Sequence, residues 1–261
     1  MKTYTEHIFE ELVQDNSTEE KLRRYLERRR MEYEEREKNR PRPESKNELQ
    51  DIIIAAIEKN GPEVDLNYID TSKIEDMSNL FYYHYSRNDN KSKLLRSFNG
   101  DISDWDVSSV EDMCNMFFTA KDFNGDISDW DVSNVIDMYE MFCYASNFNC
   151  NISKWNVRKV ENMSRMFYGA IKFNQNISKW KVDSVRDMSY MFYCAESFNQ
   201  NISDWELDSV ENMSKMFEYA TSFNQDLSRW DVTGKNAEDM FYNCPIEDKN
   251  KPKGLKSSFQ R

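Results

Sequence analysis

The chain has 261 residues, 39% of them hydrophobic and 31% charged, with a formal net charge of −12. That is long enough to bury a core in one or two domains. Residues 65–248 carry 31 acids against 17 bases, so direct contact of that region with a phosphate backbone is disfavoured. Neither the first sixteen residues nor any later stretch is apolar enough for a signal peptide or a membrane span, which makes a cytoplasmic protein without membrane contact the expectation. The five cysteines form no CxxC pair and have no histidine nearby in sequence, so no disulfide framework or zinc site is expected.

Residues 1–44 form a charged N-terminal extension. Ser17 and Glu20 stand at capping-box spacing ahead of a run that predicts a solvated helix of about 20 residues. A heptad continued from Leu26 meets Arg29, Tyr33 and Arg36, so a long coiled coil fails. A docking arm through Ile8, Phe9, Leu12 and Val13, or a basic contact through Arg28, Arg29 and Arg30, is the functional alternative.

Residues 45–97 hold a cap helix, a degenerate first repeat and an insertion. Ser45 and Glu48 begin the helix, Leu49, Ile52, Ile53, Ala56 and Ile57 give it an apolar face, and Asn60-Gly61-Pro62 stops it. The degenerate copy runs from Leu66 to Phe81 and matches later copies once 11 residues are inserted before Phe98.

Residues 98–245 are periodic. Every tryptophan of the chain, at 105, 130, 155, 180, 205 and 230, falls on a 25-residue step. Phenylalanine-asparagine pairs keep the same step from Phe98 to Phe223, as do Ile102, Val110, Met113, Met116 and Phe117 with their counterparts. Ile102-x-x-Trp105-x-Val107 reads as a short strand, and the +3, +3, +1 spacing of Val110, Met113, Met116 and Phe117 reads as a helix face. The expected fold class is therefore an α/β solenoid, a leucine-rich-repeat-like array of 25-residue strand-helix turns with a helical N-terminal region. The asparagine after each phenylalanine should form a ladder between turns, whereas Asn-Ile-Ser at 151, 176 and 201 reads as an incidental glycosylation pattern. The methionine columns read as core rather than as a soft metal site. Residues 246–261 are a basic tail, most simply solvated.

The phrase FNGDISDWDVSSVEDMCNMFFTA and its copies resemble the BspA-like leucine-rich repeat family of bacterial tandem-repeat proteins, over about residues 45–245. The resemblance implies a solenoid that recognises partners, often as a surface adhesin.

Two candidate surfaces follow from the residues themselves. One flanks the tryptophans on the exposed face: Asp104, Asp106, Asp129 and Asp131 form an acidic block beside the basic Lys154, Lys179 and Lys181. The other is the insertion at 82–97, where Tyr82, Tyr83, Tyr85 and Arg87 are residue types that dominate interface hot spots. His7 and His84, the only histidines, have no repeat-fixed acidic or nucleophilic partner, and no glycine-rich phosphate loop is present. The expectation is a non-catalytic protein-binding module without a metal or cofactor. Its partner is another protein, with a basic nucleic-acid-binding enzyme inhibited by the acidic face as one version and a cell-surface adhesin as another.

Overall fold

The computed structural model describes residues 16–82 and 90–255, which fall into two compact units, Met1–Pro41 and Arg42–Arg261. The first unit contains helix α1, Asn16–Lys38. Its described surface is charged, with Arg30 paired to Glu34 and Arg29 to Glu32, while Tyr25, Leu26 and Met31 are exposed. Ile8, Phe9, Leu12 and Val13 lie outside the described residues.

The second unit is a stack of coils opened by helix α2, Lys46–Asn60. Ser45 caps α2 by accepting the Glu48 N–H at 3.3 Å, and Gly61, at φ 90°, returns its N–H to Ile57 O. Leu49, Ile53, Ile54, Ala56 and Ile57 are buried, and Gln50 Nε2 donates to Leu80 O of the first coil at 2.8 Å. Isolated parallel bridges then join Asp76, Asp112, Asp137, Asn162, Asp187, Asn212 and Asn236 in succession. The first step is 36 residues, the next four are 25 and the last is 24. Coil 1 is thus residues 62–82, coils 2 to 6 begin at Phe98, Phe123, Phe148, Phe173 and Phe198, and coil 7 begins at Phe223. The long first step holds helix α3, Asn90–Ser97.

The expected α/β solenoid of strand-helix turns is overturned. Among the described residues no strand forms, and the coils contain no helix apart from α3 in the insertion and a single 3-10 turn, Asp248–Asn250, after coil 7. Each coil is instead a chain of β-turns. In coil 2 the N–H groups of Trp105, Val110, Met116, Phe118 and Ala120 each donate to the carbonyl three residues back, at 3.0–3.2 Å. The intervening N–H groups of Met113, Asn115, Phe117 and Thr119 point across to coil 3, onto Asp137, Tyr139, Met141 and Cys143 O, so no i to i−4 helical ladder exists. The spacing misled because successive three-residue turns put Val110, Met113 and Met116 on one side as well as a helix does. The strand reading failed because Trp105 turns back onto Ile102 after only three residues.

Polar side chains make these turns. Asp101, Asp106 and Asp112 each accept the N–H two residues ahead, from Ser103, Ser108 and Cys114. The first and third positions recur in every later coil, including Asn151, Asn176 and Asn201, which accept from Ser153, Ser178 and Ser203, whereas the middle one is Lys181 and Glu206 in coils 5 and 6. Asn-Ile-Ser is therefore a turn motif. Two residues per coil, such as Asn115 and Thr119, have positive φ, as the third residue of a type II turn requires.

Stacking closes the core. Trp105 and Trp130 lie parallel with ring centroids 6.5 Å apart, and the Trp130 indole N–H donates to Ile102 O of the coil before it. Two phenylalanine columns zip together, with Phe142 at 3.8 Å from Phe148, where coil 3 passes into coil 4, and at 5.8 Å from its counterpart Phe167. The methionines from Met113 to Met216 are fully buried. Along the surface, Asn124 N–H donates to Asn99 Oδ1, Asn149 to Asn124, and so on to Asn224, each at 2.7–3.0 Å. Beyond Pro245 the chain stays on the stack, with Leu227 N–H bonded to Asn250 O and Val232 N–H to Lys253 O.

Candidate interaction surfaces

The charges that flank the tryptophans all lie at the surface. Lys154 reaches back one coil to Asp129 at 2.8 Å, and Arg229 to Asp204 at 3.4 Å, so the acidic and basic blocks meet through ion pairs. Both pairs are well exposed, so solvent screens them and neither adds much to stability. Asp106 and Asp131 are partly occupied as turn acceptors for Ser108 and Ser133, and the Ser133 bonds hold the Asp131 carboxyl below its ordinary range. Asp104, Lys179 and Lys181 stand exposed on the same face. Of the insertion, Tyr82 is described and sits 5.3 Å from Phe118; Tyr83, Tyr85 and Arg87 lie outside the described residues.

Tyr82 begins a feature that the sequence reading missed. A row with an aromatic ring from each coil lies on this side of the stack, running Tyr82, Phe118, Tyr144, Tyr168, Tyr193, Tyr219, Tyr242, with Tyr190 of coil 5 beside Tyr168 and Tyr193. Neighbouring centroids are 4.4–6.4 Å apart, and most pairs meet edge to face. Tyr144, Tyr219 and Tyr242 are 49%, 37% and 53% exposed in a chain whose other large repeat-fixed apolar groups are buried. Burial and hydrogen bonding to Tyr144 and Tyr193 push the Tyr168 phenol up, so the row stays uncharged there.

The row escaped notice because it alternates between two columns. After the fixed phenylalanines come Phe118-Thr119, Cys143-Tyr144, Tyr168-Gly169, Tyr193-Cys194, Glu218-Tyr219 and Tyr242-Asn243, one ring in each pair. Reading either column alone breaks the pattern. Gly169 shows that the alternation is a packing requirement: a Cβ there would lie 2.7 Å from Tyr144 Cδ1. Its positive φ does not explain the glycine, since Thr119, Tyr144, Cys194 and Tyr219 adopt the same backbone at that column.

In the bridged column, Asp112 and Asp137 are direct neighbours. Burial, then the Asp112 charge, pushes the Asp137 carboxyl up. Farther along, Asn162 Nδ2 donates to Asp137 Oδ2 at 3.4 Å and Asn212 Nδ2 to Asp187 Oδ2 at 3.2 Å, so an amide between carboxylates relieves the column. Asp137→Asn keeps an oxygen for the Tyr139 N–H and gives up the long 3.4 Å bond from Asn162, so with the repulsion removed it is expected to raise stability at neutral pH by about 0.5 kcal/mol. A raised folded-state pKa penalises the ionised form, so the penalty is present above the unfolded pKa and is relieved as pH falls through the folded one. The variant's advantage in denaturant titrations should therefore shrink on acidification; an advantage that grew would refute the repulsion.

With the coils and their surfaces established, comparison with known proteins gives one match. A family model described as "Mycoplasma protein of unknown function, DUF285" matches twice, over residues 54–168 and 150–253. The chain belongs to the DUF285 family. The DUF285 matches begin inside α2, cover every coil and end at Lys253, the residue bridged to Asp231 of coil 7. DUF285 is a repeat family related to the BspA-like proteins, so the resemblance holds at the level of the repeat. No curated protein and no solved structure matches the chain significantly.

All five cysteines are free thiols. Burial, then Asp137 and Asp112, pushes Cys114 up to about 12, and burial pushes Cys244 up to about 11, so neither is a poised nucleophile. Among the described residues no cluster of His, Cys, Asp and Glu has metal-binding geometry, and no helix is long and apolar enough to cross a membrane.

Proposed function

We propose that this chain is a non-catalytic protein-binding repeat module, allied to the partner-recognising BspA-like proteins and acting inside the cell. The observation that carries the reading is the aromatic row. Stacking needs the buried tryptophan and phenylalanine columns, yet a further ring is added on every coil, exposed at Tyr144, Tyr219 and Tyr242 and partly exposed at the others, and accessible aromatic surface of this kind is characteristic of binding sites. Tyrosine suits such a role, with an apolar ring, a polar tip and few rotamers to immobilise. The tryptophan-flanking face is a weaker candidate, because its ion pairs already satisfy part of its charge.

The test is capture of partners from the native lysate by the full-length chain and by Tyr144→Ala with Tyr219→Ala and Tyr242→Ala. These side chains are half exposed, so folding should survive and specific capture should fall by about tenfold or more. A set of retained proteins indifferent to the triple change would overturn the reading. Asp104→Lys with Asp129→Lys probes the other face; it should leave unfolding within about 0.5 kcal/mol, and loss of capture there alone would move the contact to it.

A further inference from the structure

We infer that the part of the aromatic row on coils 2 and 3 receives an extended, arginine-bearing segment of a partner protein, an inference that rests on the row being a protein-binding surface. Three observations converge on that chemistry.

The first is the choice of turn residue. Asp and Asn serve the three turn positions equally, because each offers an Oδ1 to the same N–H. Coils 2 and 3 use aspartate at all six, Asp101, Asp106, Asp112, Asp126, Asp131 and Asp137, whereas coil 4 uses Asn151, Asn156 and Asn162 in the same places. The turns do not require that charge. Residues 101–150 carry 11 acids and Lys121 as the only lysine or arginine, against four acids and eight bases in residues 151–200.

The second is that the chain's own cations display the binding mode beside the row, over Tyr190, whose ring centroid lies 5.8 Å from that of Tyr193. The Arg165 guanidinium lies 5.1 Å from the Tyr190 centroid while its Nη1 contacts Glu140 of the preceding coil at 2.9 Å. Lys215 lies 5.8 Å from the same ring and 2.9 Å from Glu218. Ring and carboxylate together hold a cation, and a guanidinium does it best because it stacks flat and donates in its plane. Coils 2 and 3 combine the rings Phe118 and Tyr144 with the excess of carboxylates just counted, and their own residues include no arginine, although Arg165 of coil 4 reaches back to Glu140.

The third is spacing. Tyr82 to Phe118 and Phe118 to Tyr144 are 5.3 and 6.4 Å between centroids. Alternate side chains of an extended strand lie about 6.6 Å apart, so an Arg-x-Arg-x-Arg segment keeps step with one ring per coil. A second copy of this chain fits poorly: antiparallel pairing about the row's middle sets the acidic coils 2 and 3 against coils 6 and 7, where residues 201–248 hold 11 acids and three bases.

The experiment is fluorescence anisotropy of a labelled peptide of alternating arginine and serine, titrated with the full chain, beside a lysine-serine peptide of equal charge. The arginine peptide should bind about tenfold tighter than the lysine one. Asp112→Asn with Asp137→Asn keeps both turns and should weaken arginine-peptide binding about tenfold, as should Tyr144→Ala, whereas Asp204→Asn with Glu206→Gln should leave it unchanged. Equal affinity for the two peptides, or equal loss from either acidic pair, would mean unspecific charge attraction and overturn the inference. If neither peptide bound while partner capture still vanished in the Tyr144, Tyr219 and Tyr242 triple variant, the row would bind protein of another chemistry: the inference would fail and the reading of the row would stand.

Discussion

Trp155→Ala should lower the unfolding free energy by about 3–5 kcal/mol, the cost of removing a buried tryptophan with only partial collapse around it. Trp155 is 4% exposed, stacks parallel on Trp180 at 6.5 Å and meets Phe142 at 6.3 Å. Its indole N–H also donates to Ile127 O at 3.0 Å, so truncation strands a buried carbonyl as well as opening a cavity. The position is central, with two copies before it and three after, and in a stack whose units touch only their neighbours a weak middle interface lowers cooperativity as well as stability. Trp155→Phe restores most of the apolar volume but not the donor and should lie between the two, about 1–2 kcal/mol below wild type. Calorimetric unfolding of the three proteins checks the order. An unchanged Trp155→Ala would mean that the tryptophan column is decoration on a core held elsewhere.

Much of this arrangement was readable in advance, for one physical reason: columns of identical side chains report which residues stack, whatever backbone delivers them. The 25-residue step, the 11-residue insertion and the missing residue in coil 7 all reappear as intervals between bridged residues. The asparagine ladder was readable too, because an amide at a fixed column can serve a neighbour's N–H on every coil. Backbone conformation was not, since turns that repeat every three residues and helices of 3.6 residues share the +3 spacing of Val110, Met113 and Met116. A signal against helix did exist in Asp101, Asp106 and Asp112 with a residue two ahead to cap, which marks a turn roughly every fifth or sixth residue and leaves no room for a strand or helix between. The aromatic row stayed hidden because Tyr144 and Tyr219 occupy one column while Phe118, Tyr168 and Tyr193 occupy the next. Only the requirement for one ring per coil, visible in the Gly169 contact with Tyr144, unites them.

Removing residues 246–261 should destabilise the stack by about 3–6 kcal/mol and make it self-associate. The segment buries Ile246 and Pro252 against coil 7 and satisfies its backbone: Leu227 N–H to Asn250 O at 2.8 Å, Val232 N–H to Lys253 O at 2.9 Å, and Lys253 N–H to Trp230 O at 3.0 Å. It also ends the asparagine ladder, since Glu247 N–H donates to Asn224 Oδ1 at 2.9 Å. Burial of a side chain such as Ile246 is worth about 1.5–3 kcal/mol and each hydrogen bond about 1 kcal/mol, which sets the range. Without the segment, Leu227, Trp230 and Val232 face water beside a row of unpaired N–H and C=O groups, the template on which a second chain can add. Two measurements separate the effects. Ile246→Asp leaves the backbone bonds available and should lower the thermal midpoint without higher oligomers in size-exclusion chromatography, whereas the truncated chain should show both changes. A truncated chain that stayed monomeric with an unaltered midpoint would mean that coil 7 closes the stack by itself.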